Sequence, residues 1–319
     1  MKPSRPADRR SGQKAPDGHA GGCPPIGGAA TALVPTLGLL WGLNWVAVKL
    51  CLVEIPPWTL RVAGFAIGAA CLFGFLALSG RSMTVPRRHW LRLVVVGLLS
   101  VTTYNVLSAF AQLSATTTRS AVLSYTMPIW AVVLARVVLG EKLDARRALG
   151  LGLGVAGLAA LGWPIVAAGQ FSAGLLFALG SGLSWAAGSV FLKRFPIDGG
   201  PLAITSWQLA LALPVTLAGM LAFEGVPTAL PAQATTLWAF AYHAVLAQAV
   251  ATATWFTILE RLPAGTAAIC SLLVPAVGVL GATLMLGERP TPGDLAGLAL
   301  IVAASATVLL RSGPARTGA

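Results

Sequence analysis

Long apolar runs without Asp, Glu, Lys or Arg alternate along the chain with short clusters of charge. The runs are Val62–Gly80, Leu93–Thr118, Ser120–Ala135, Ala148–Leu192, Gly199–Phe223, Gly225–Leu259, Leu262–Gly287 and Leu295–Leu310. A helix needs about 20 apolar residues to cross a hydrocarbon core about 30 Å thick. Ala148–Leu192 is long enough for two such helices, with a turn expected near Trp163-Pro164 and Gly169-Gln170. Gly225–Leu259 holds one helix after a polar, proline-containing loop, Val226–Thr235. The first helix lies between Thr31 and Leu52 and joins the second through Glu54-Ile55-Pro56-Pro57. The pattern predicts an all-α integral membrane protein with ten transmembrane helices, over about 31–52, 58–79, 90–111, 116–138, 146–163, 173–193, 201–223, 235–259, 264–286 and 293–311.

The second half repeats the first. Ala121–Leu161 aligns without gaps with Ala268–Val308 at an offset of 147 residues, pairing Ser124 with Ser271, Pro128 with Pro275 and Leu139-Gly140-Glu141 with Leu286-Gly287-Glu288. Apolar composition alone yields chance Leu and Val matches, but not Pro and Leu-Gly-Glu at one offset. Trp41 and Lys49 correspond to Trp185 and Lys193 at an offset of 144, and Arg61 falls opposite Gln208 at 147. Each half therefore holds five helices. Five is odd, so the second half enters the membrane upside down: an inverted-topology repeat, the architecture of carriers whose halves rock about a central site. The expected organisation is a disordered basic cytoplasmic tail (1–30), a first five-helix repeat (31–165), a second (172–311) and a short cytoplasmic tail (312–319).

Composition sharpens this reading. The 319 residues are 56% hydrophobic and only 10% charged, with a mean hydropathy of +0.79; soluble domains carry about 25% charge. The lipid bilayer is thus the expected solvent for most of the surface. The net charge of +12 does not indicate a nucleic-acid partner, because the basic residues sit in short loops between apolar runs. With the N-terminal tail in the cytoplasm, all of the 22 basic residues except Lys49, Arg61, Arg119 and Arg289 fall on the cytoplasmic side. A missed or extra helix would invert every later loop, so the helix count and the inward placement of both termini support one another. The location implied is a bacterial-type inner membrane.

At this point the chain resembles the EamA branch of the drug/metabolite transporter superfamily. The resemblance rests on the two five-helix halves, on Trp41-Gly42-Leu43-Asn44 in the first helix, and on proline-containing helices ending in Leu139-Gly140-Glu141 and Leu286-Gly287-Glu288. It covers about residues 31–311. It implies a ten-helix fold, a central cavity lined mainly by helices one, three, four, six, eight and nine, and export or exchange of small metabolites such as amino acids and their relatives. The second half departs from the motif, with Trp185-Ala186-Ala187-Gly188 lacking the Asn.

The residues themselves nominate a cavity. Trp41 and Asn44 share a face of the first helix near mid-membrane, where an amide must find a partner or water. Tyr104, Ser108 and Gln112 recur every four residues with Asn105 adjacent, a polar stripe that is costly against lipid. Ser120, Ser124 and Met127 in helix four, Ser181, Trp185 and Ser189 in helix six, and Gln248, Thr252 and Trp255 in helix eight add similar faces, with Ser271 the repeat equivalent of Ser124. Each stripe also suits interhelical hydrogen bonding. Pro128 and Pro275 break the backbone ladder at equivalent places, as expected of helices that shape a cavity or hinge. His243 fits either a proton carrier or a satisfied hydrogen-bonding residue. Arg61 and Arg119 near the outer ends of helices two and four, and Lys49 near that of helix one, suit snorkelling to the interface or attraction of an anion. Glu141 and Glu288 are expected to brace the turns into the next helices.

No carboxylate falls at the middle of a span, which argues against the usual buried acid of a proton antiporter. No Walker loop is present, so ATP is not the chain's own drive. Cys23, Cys51, Cys71 and Cys270 form no Cys-x-x-Cys pair, and no metal or other cofactor is implied. The function expected is that of a secondary transporter of small, partly apolar metabolites by alternating access. The alternatives are a membrane-embedded enzyme, which would need clustered His, Asp or Glu, and a non-transporting membrane partner, which would need no polar cavity.

Overall fold

The structure, a computed structural model, describes residues 28–114, 117–167, 173–263, 267, 269, 271–289 and 292–309. Among these residues every regular element is a helix. The helices are α1 (Gly28–Cys51), α2 (Pro57–Leu78), α3 (Arg87–Ser114), α4 (Thr117–Ser124), α5 (Met127–Leu139), α6 (Ala145–Ala167), α7 (Ala173–Arg194), α8 (Pro201–Phe223), α9 (234–261), α10 (Leu273–Leu286) and α11 (Pro292–Leu309). Five of them, α1, α2, α3, α7 and α8, are long and apolar enough to cross a membrane, and shorter apolar stretches lie in α5, α6, α10 and α11.

Local chemistry sets the boundaries. Pro57 and Pro201 open α2 and α8 at the first turn, where a missing N–H costs nothing. Gly140 and Gly287 close α5 and α10 in the left-handed conformation, with φ of 68° and 70°. The next residues repeat one bond: the N–H of Glu141 donates to the Ala135 carbonyl and that of Glu288 to the Ala282 carbonyl, each at 3.3 Å. The two Leu-Gly-Glu corners are therefore the same turn built twice. Proline acts equivalently too. The helix is interrupted at Tyr125-Thr126 before Pro128 and at Ser271-Leu272 before Pro275, and short i→i+3 bonds span both breaks (Ile129 N–H to Thr126 O, Val274 N–H to Ser271 O, both 3.0 Å).

Two features differ from the sequence expectation. The turn expected near Trp163-Pro164 and Gly169-Gln170 does not begin at Trp163-Pro164, since α6 continues to Ala167; Gly169 and Gln170 lie outside the described residues. The segment assigned to the tail ends early, because α1 already begins at Gly28. Residues 264–266, at the start of the expected ninth span, and the tails lie outside the described residues.

Two helices are widened in equivalent places. α3 is π-helical over Gly97–Thr103 and α9 over Tyr242–Ala251. Each widened turn carries a threonine hydroxyl donating to the carbonyl five residues back, Thr102 to Gly97 at 3.4 Å and Thr252 to Ala247 at 3.2 Å. Such segments recur at functional sites because they rotate the following side chains off the regular helical register.

The packing partners exchange consistently between halves. α1 packs on α10 as α7 packs on α5; α1 packs on α9 as α7 packs on α3; α2 pairs with α8, and α6 with α11. Small residues permit these approaches. A Cβ at Gly42 would stand 2.4 Å from Val277 Cβ on α10, and one at Gly188 would stand 2.0 Å from Ser100 Oγ and 3.0 Å from the Ser100 nitrogen on α3.

Carboxylates tie the bundle at both ends. At one end, Glu54 accepts from the Ala232 and Gln233 N–H groups (3.1 and 3.2 Å) at the start of α9. There too, Glu224 accepts from the Trp58 and Thr59 N–H groups (both 2.7 Å) at the start of α2. Each carboxylate meets the positive end of a helix. A hydrogen bond from the Thr236 side chain, with those from Ala232 and Gln233, holds the Glu54 carboxyl below its usual range. At the other end, Asp198 accepts from Arg88 and from His89 Nε2, and these bonds hold its carboxyl below the usual range in the same way.

Candidate functional site

A cavity lies where α1, α3, α7 and α9 approach one another. α1 contributes Trp41, Asn44, Trp45 and Val48, which recur at helical spacing along one face. α3 contributes Tyr104, Asn105, Ser108 and Gln112, immediately after its π segment. α9 contributes Ala247, Gln248 and Thr252, within and just after its own. Trp185 of α7, Tyr125 and Met127 beside the proline break, and Arg61 of α2 complete the wall.

The aromatic wall is continuous. Trp41 and Trp185 meet edge to face with ring centroids 5.2 Å apart, Trp255 lies 5.8 and 5.7 Å from these two rings, and Tyr104 lies 4.8 Å from Trp185. The Trp41 indole donates to the Ala247 carbonyl at 3.3 Å.

Opposite these rings lies a polar chain centred on Arg61, which is 2% exposed. Its Nη1 is 3.2 Å from Nε2 of the fully buried His243, and its Nη2 donates to Ser108 Oγ over a long 3.5 Å. His243 Nδ1 is 2.8 Å from Asn44 Oδ1. Arginine only donates, so His243 Nε2 is the acceptor, Nδ1 carries the proton, and Asn44 receives it. The arginine and the asparagine together fix a neutral imidazole in one tautomer. Gln248 Nε2 donates to Asn105 Oδ1 at 2.9 Å, and the Asn105 amide donates to the Val101 carbonyl at 2.8 Å. Lys49 Nζ donates to the Gln112 main-chain carbonyl at 2.9 Å beside the cavity.

The balance of charge is one-sided. No carboxylate is among the described residues that line the cavity. Burying a cation without a paired anion costs several kcal/mol. Three lining residues also keep a buried polar atom without a hydrogen-bond partner: Arg61 Nε, Gln112 Oε1 and Trp185 Nε1. No group of three or more His, Cys, Asp or Glu among the described residues could hold a metal.

The sequence-nominated residues divide. Trp41, Asn44, Tyr104, Asn105, Ser108, Trp185, Gln248 and Thr252 line the cavity together. Trp255 packs behind it on Trp41 and Trp185. Ser124 accepts from Ser181 at 2.9 Å, and Ser189 donates back to the Trp185 carbonyl at 2.9 Å, so both serve packing. Ser271 is buried at the α10 break. The described residues of the ninth span contribute no lining residue, whereas α2 contributes Arg61. The snorkelling reading of Arg61 is thereby corrected: it points inward because Gly64 and Gly68 on its own face let α9 come close. A Cβ on these glycines would stand 3.1 Å from His243 Nε2 and 3.2 Å from Gln248 Cβ. Those two glycines, at i+3 and i+7 from Arg61, were the signal that this face meets a helix and not lipid. Trp45 and Val48 were readable as continuations of the Trp41 face. Tyr125 and Ala247 carried no comparable signal.

A bundle of apolar helices with small residues at its crossings and a polar, aromatic-walled cavity at its centre is the architecture of an integral membrane carrier. The chain belongs to the EamA-like transporter family, whose model matches residues 29–163 and 172–310. It is 27% identical over 265 residues to the uncharacterized transporter YoaV of Bacillus subtilis, covering 82% of this chain and 90% of that one. It is 27% identical to a probable amino-acid metabolite efflux pump of Salmonella typhimurium (83% and 89% covered). It is 28% identical to the uncharacterized inner membrane transporter YedA of Escherichia coli K12 (90% and 91%). One crystal structure shares the fold with a TM-score of 0.72 at 23% identity, over 88% of this chain and 98% of that one. The protein is a small-molecule transporter of the membrane.

Proposed function

We propose that the protein is a secondary transporter that carries small, partly apolar metabolites across the inner membrane by alternating access, with two inverted five-helix halves rocking about the central cavity. The observation that carries this is the exchange of packing partners between halves, centred on that cavity. Swapping α1 with α7, α2 with α8, α3 with α9, α5 with α10 and α6 with α11 maps the contacts among these helices onto one another, which supports a two-fold relation between the halves. The repeated corners, proline breaks and π segments support the same relation. The Asp198 end, rich in Arg87, Arg88, Arg92, Lys193 and Arg194, is the cytoplasmic end by the positive-inside rule, which puts both termini in the cytoplasm. The efflux-pump name of the Salmonella relative supports a metabolite as cargo.

The test has two arms. Single-cysteine labelling of K142C and R289C, in a background with the native cysteines replaced, is expected to reach the two Leu-Gly-Glu corners from opposite faces of the membrane. Labelling of both from one face removes the inverted arrangement. Counterflow of labelled metabolites into proteoliposomes containing the full chain tests transport itself, and its absence across a broad metabolite panel refutes the carrier reading.

A further inference from the structure

The cavity contains a buried cation that its own neighbours leave incompletely satisfied. A guanidinium offers five N–H donors in a planar fork. Arg61 engages one imidazole nitrogen at 3.2 Å and one hydroxyl at 3.5 Å, and its Nε has no partner. The titratable groups that act on it are His243, 3.2 Å away, with Tyr104 and Cys51: a neutral imidazole, a phenol and a thiol. His243 cannot serve as a counter-ion, because its Nε2 lone pair is already the acceptor and its Nδ1–H is committed to Asn44. Among the described residues that line the cavity, none is acidic.

We infer that Arg61 is the anchor for an anionic group on the cargo, and that the transported compounds are small organic carboxylates whose apolar body packs against Trp41, Trp185 and Tyr104. A carboxylate matches the guanidinium fork in two parallel hydrogen bonds. It supplies the counter-charge that the protein omits, and the aromatic wall supplies the surface for the remainder of the molecule. His243 is then a positioning residue: held by Asn44, it presents a lone pair to Nη1 and keeps the fork turned toward the cavity. Gly64 and Gly68 make that contact possible by admitting α9 against α2.

This inference rests on the transport reading of the same cavity. The experiment titrates the purified full-length protein in lipid nanodiscs with matched carboxylates and primary amides. The probes are phenylacetate against phenylacetamide and isovalerate against isovaleramide, read by tryptophan fluorescence and thermal stability. The wild type is expected to bind each acid at least about tenfold more tightly than its amide, as charge-assisted bonds require. In R61Q that ratio is expected to fall to near one while the protein keeps or gains thermal stability, since an uncompensated buried charge has been removed. R61K, which keeps the charge but loses the fork, is expected to be intermediate. Equal binding of acid and amide by the wild type, binding of neither, or an unchanged ratio in R61Q overturns the anchor. Flux of the carboxylates into proteoliposomes, undiminished in R61Q, would leave transport standing and remove the anchor alone. Absence of flux for every solute removes the transport reading as well.

Discussion

His243 Nε2 accepts from the Arg61 guanidinium at 3.2 Å, across 182 residues of sequence. This contact turns a basic residue near a helix end into the charged centre of the cavity. It also settles a role: an imidazole that accepts from arginine and donates to Asn44 acts as a hydrogen-bonding brace in this state, with no free nitrogen to relay a proton.

The brace predicts a coupling. His243→Ala leaves Arg61 with only the long Ser108 bond and should destabilise the protein by about 1–3 kcal/mol. In the background of R61Q the same substitution should cost clearly less, because the charge it supports is gone. Thermal unfolding of the two single variants and the double variant in one lipid system measures this. Additive losses would show that the two side chains do not act together.

The aromatic wall predicts a separation of binding from stability. Trp185→Phe keeps a ring against Trp41 and Trp255 but removes a buried N–H that has no partner within the protein. Its thermal stability should change by less than about 1 kcal/mol, while transport falls if that N–H meets the cargo. Trp185→Ala should cost about 3–5 kcal/mol by opening the packed cluster. Full flux in the Phe variant would assign the indole N–H no part in binding.

The crossing of α7 and α3 predicts a steric limit. A methyl at Gly188 would meet Ser100 at its hydroxyl and main-chain nitrogen, at 2.0 and 3.0 Å. The hydroxyl can rotate away but the backbone cannot, so Gly188→Ala should cost about 1–3 kcal/mol. Gly152, with open space around its Cβ position, should tolerate alanine, and the pair gives a matched control by thermal unfolding.

The tie at the basic end predicts a pH dependence with a definite sign. Hydrogen bonds from Arg88 and His89 lower the Asp198 carboxyl below its ordinary value of 3.8. A carboxylate held low in the folded state stabilises at pH values above that ordinary value and loses its contribution as pH falls through the folded value. The Arg88 and Asp198 side chains are 73% and 57% exposed, so solvent screens the pair and its contribution is small. Asp198→Asn should therefore differ slightly and evenly from wild type across pH 5 to 8, and the two should converge only in strong acid. A difference that changes between pH 6 and 7 would implicate a different group.

Two features of this protein show where sequence reasoning stops. Apolar run length fixes how many segments need lipid, because each must span about the same thickness. Turn chemistry is local as well: Gly140 and Gly287 close their helices and Pro128 and Pro275 break theirs through the torsions of those residues alone. The repeat offset and the polar faces of helices one, three, six and eight follow from spacing, and eight of the twelve nominated cavity residues line the cavity. Depth within the bundle is not a local property. Whether Arg61 reaches water or is sealed in depends on how closely α9 packs on α2. The π-helical turns that present Asn105 and Gln248 depend on the packing of whole helices as well. Sequence by itself determined the class of the protein, its helices and its repeat. Only the tertiary structure decided which charge lies at the centre, because burial is set by the neighbours that close over a residue and not by the residue itself.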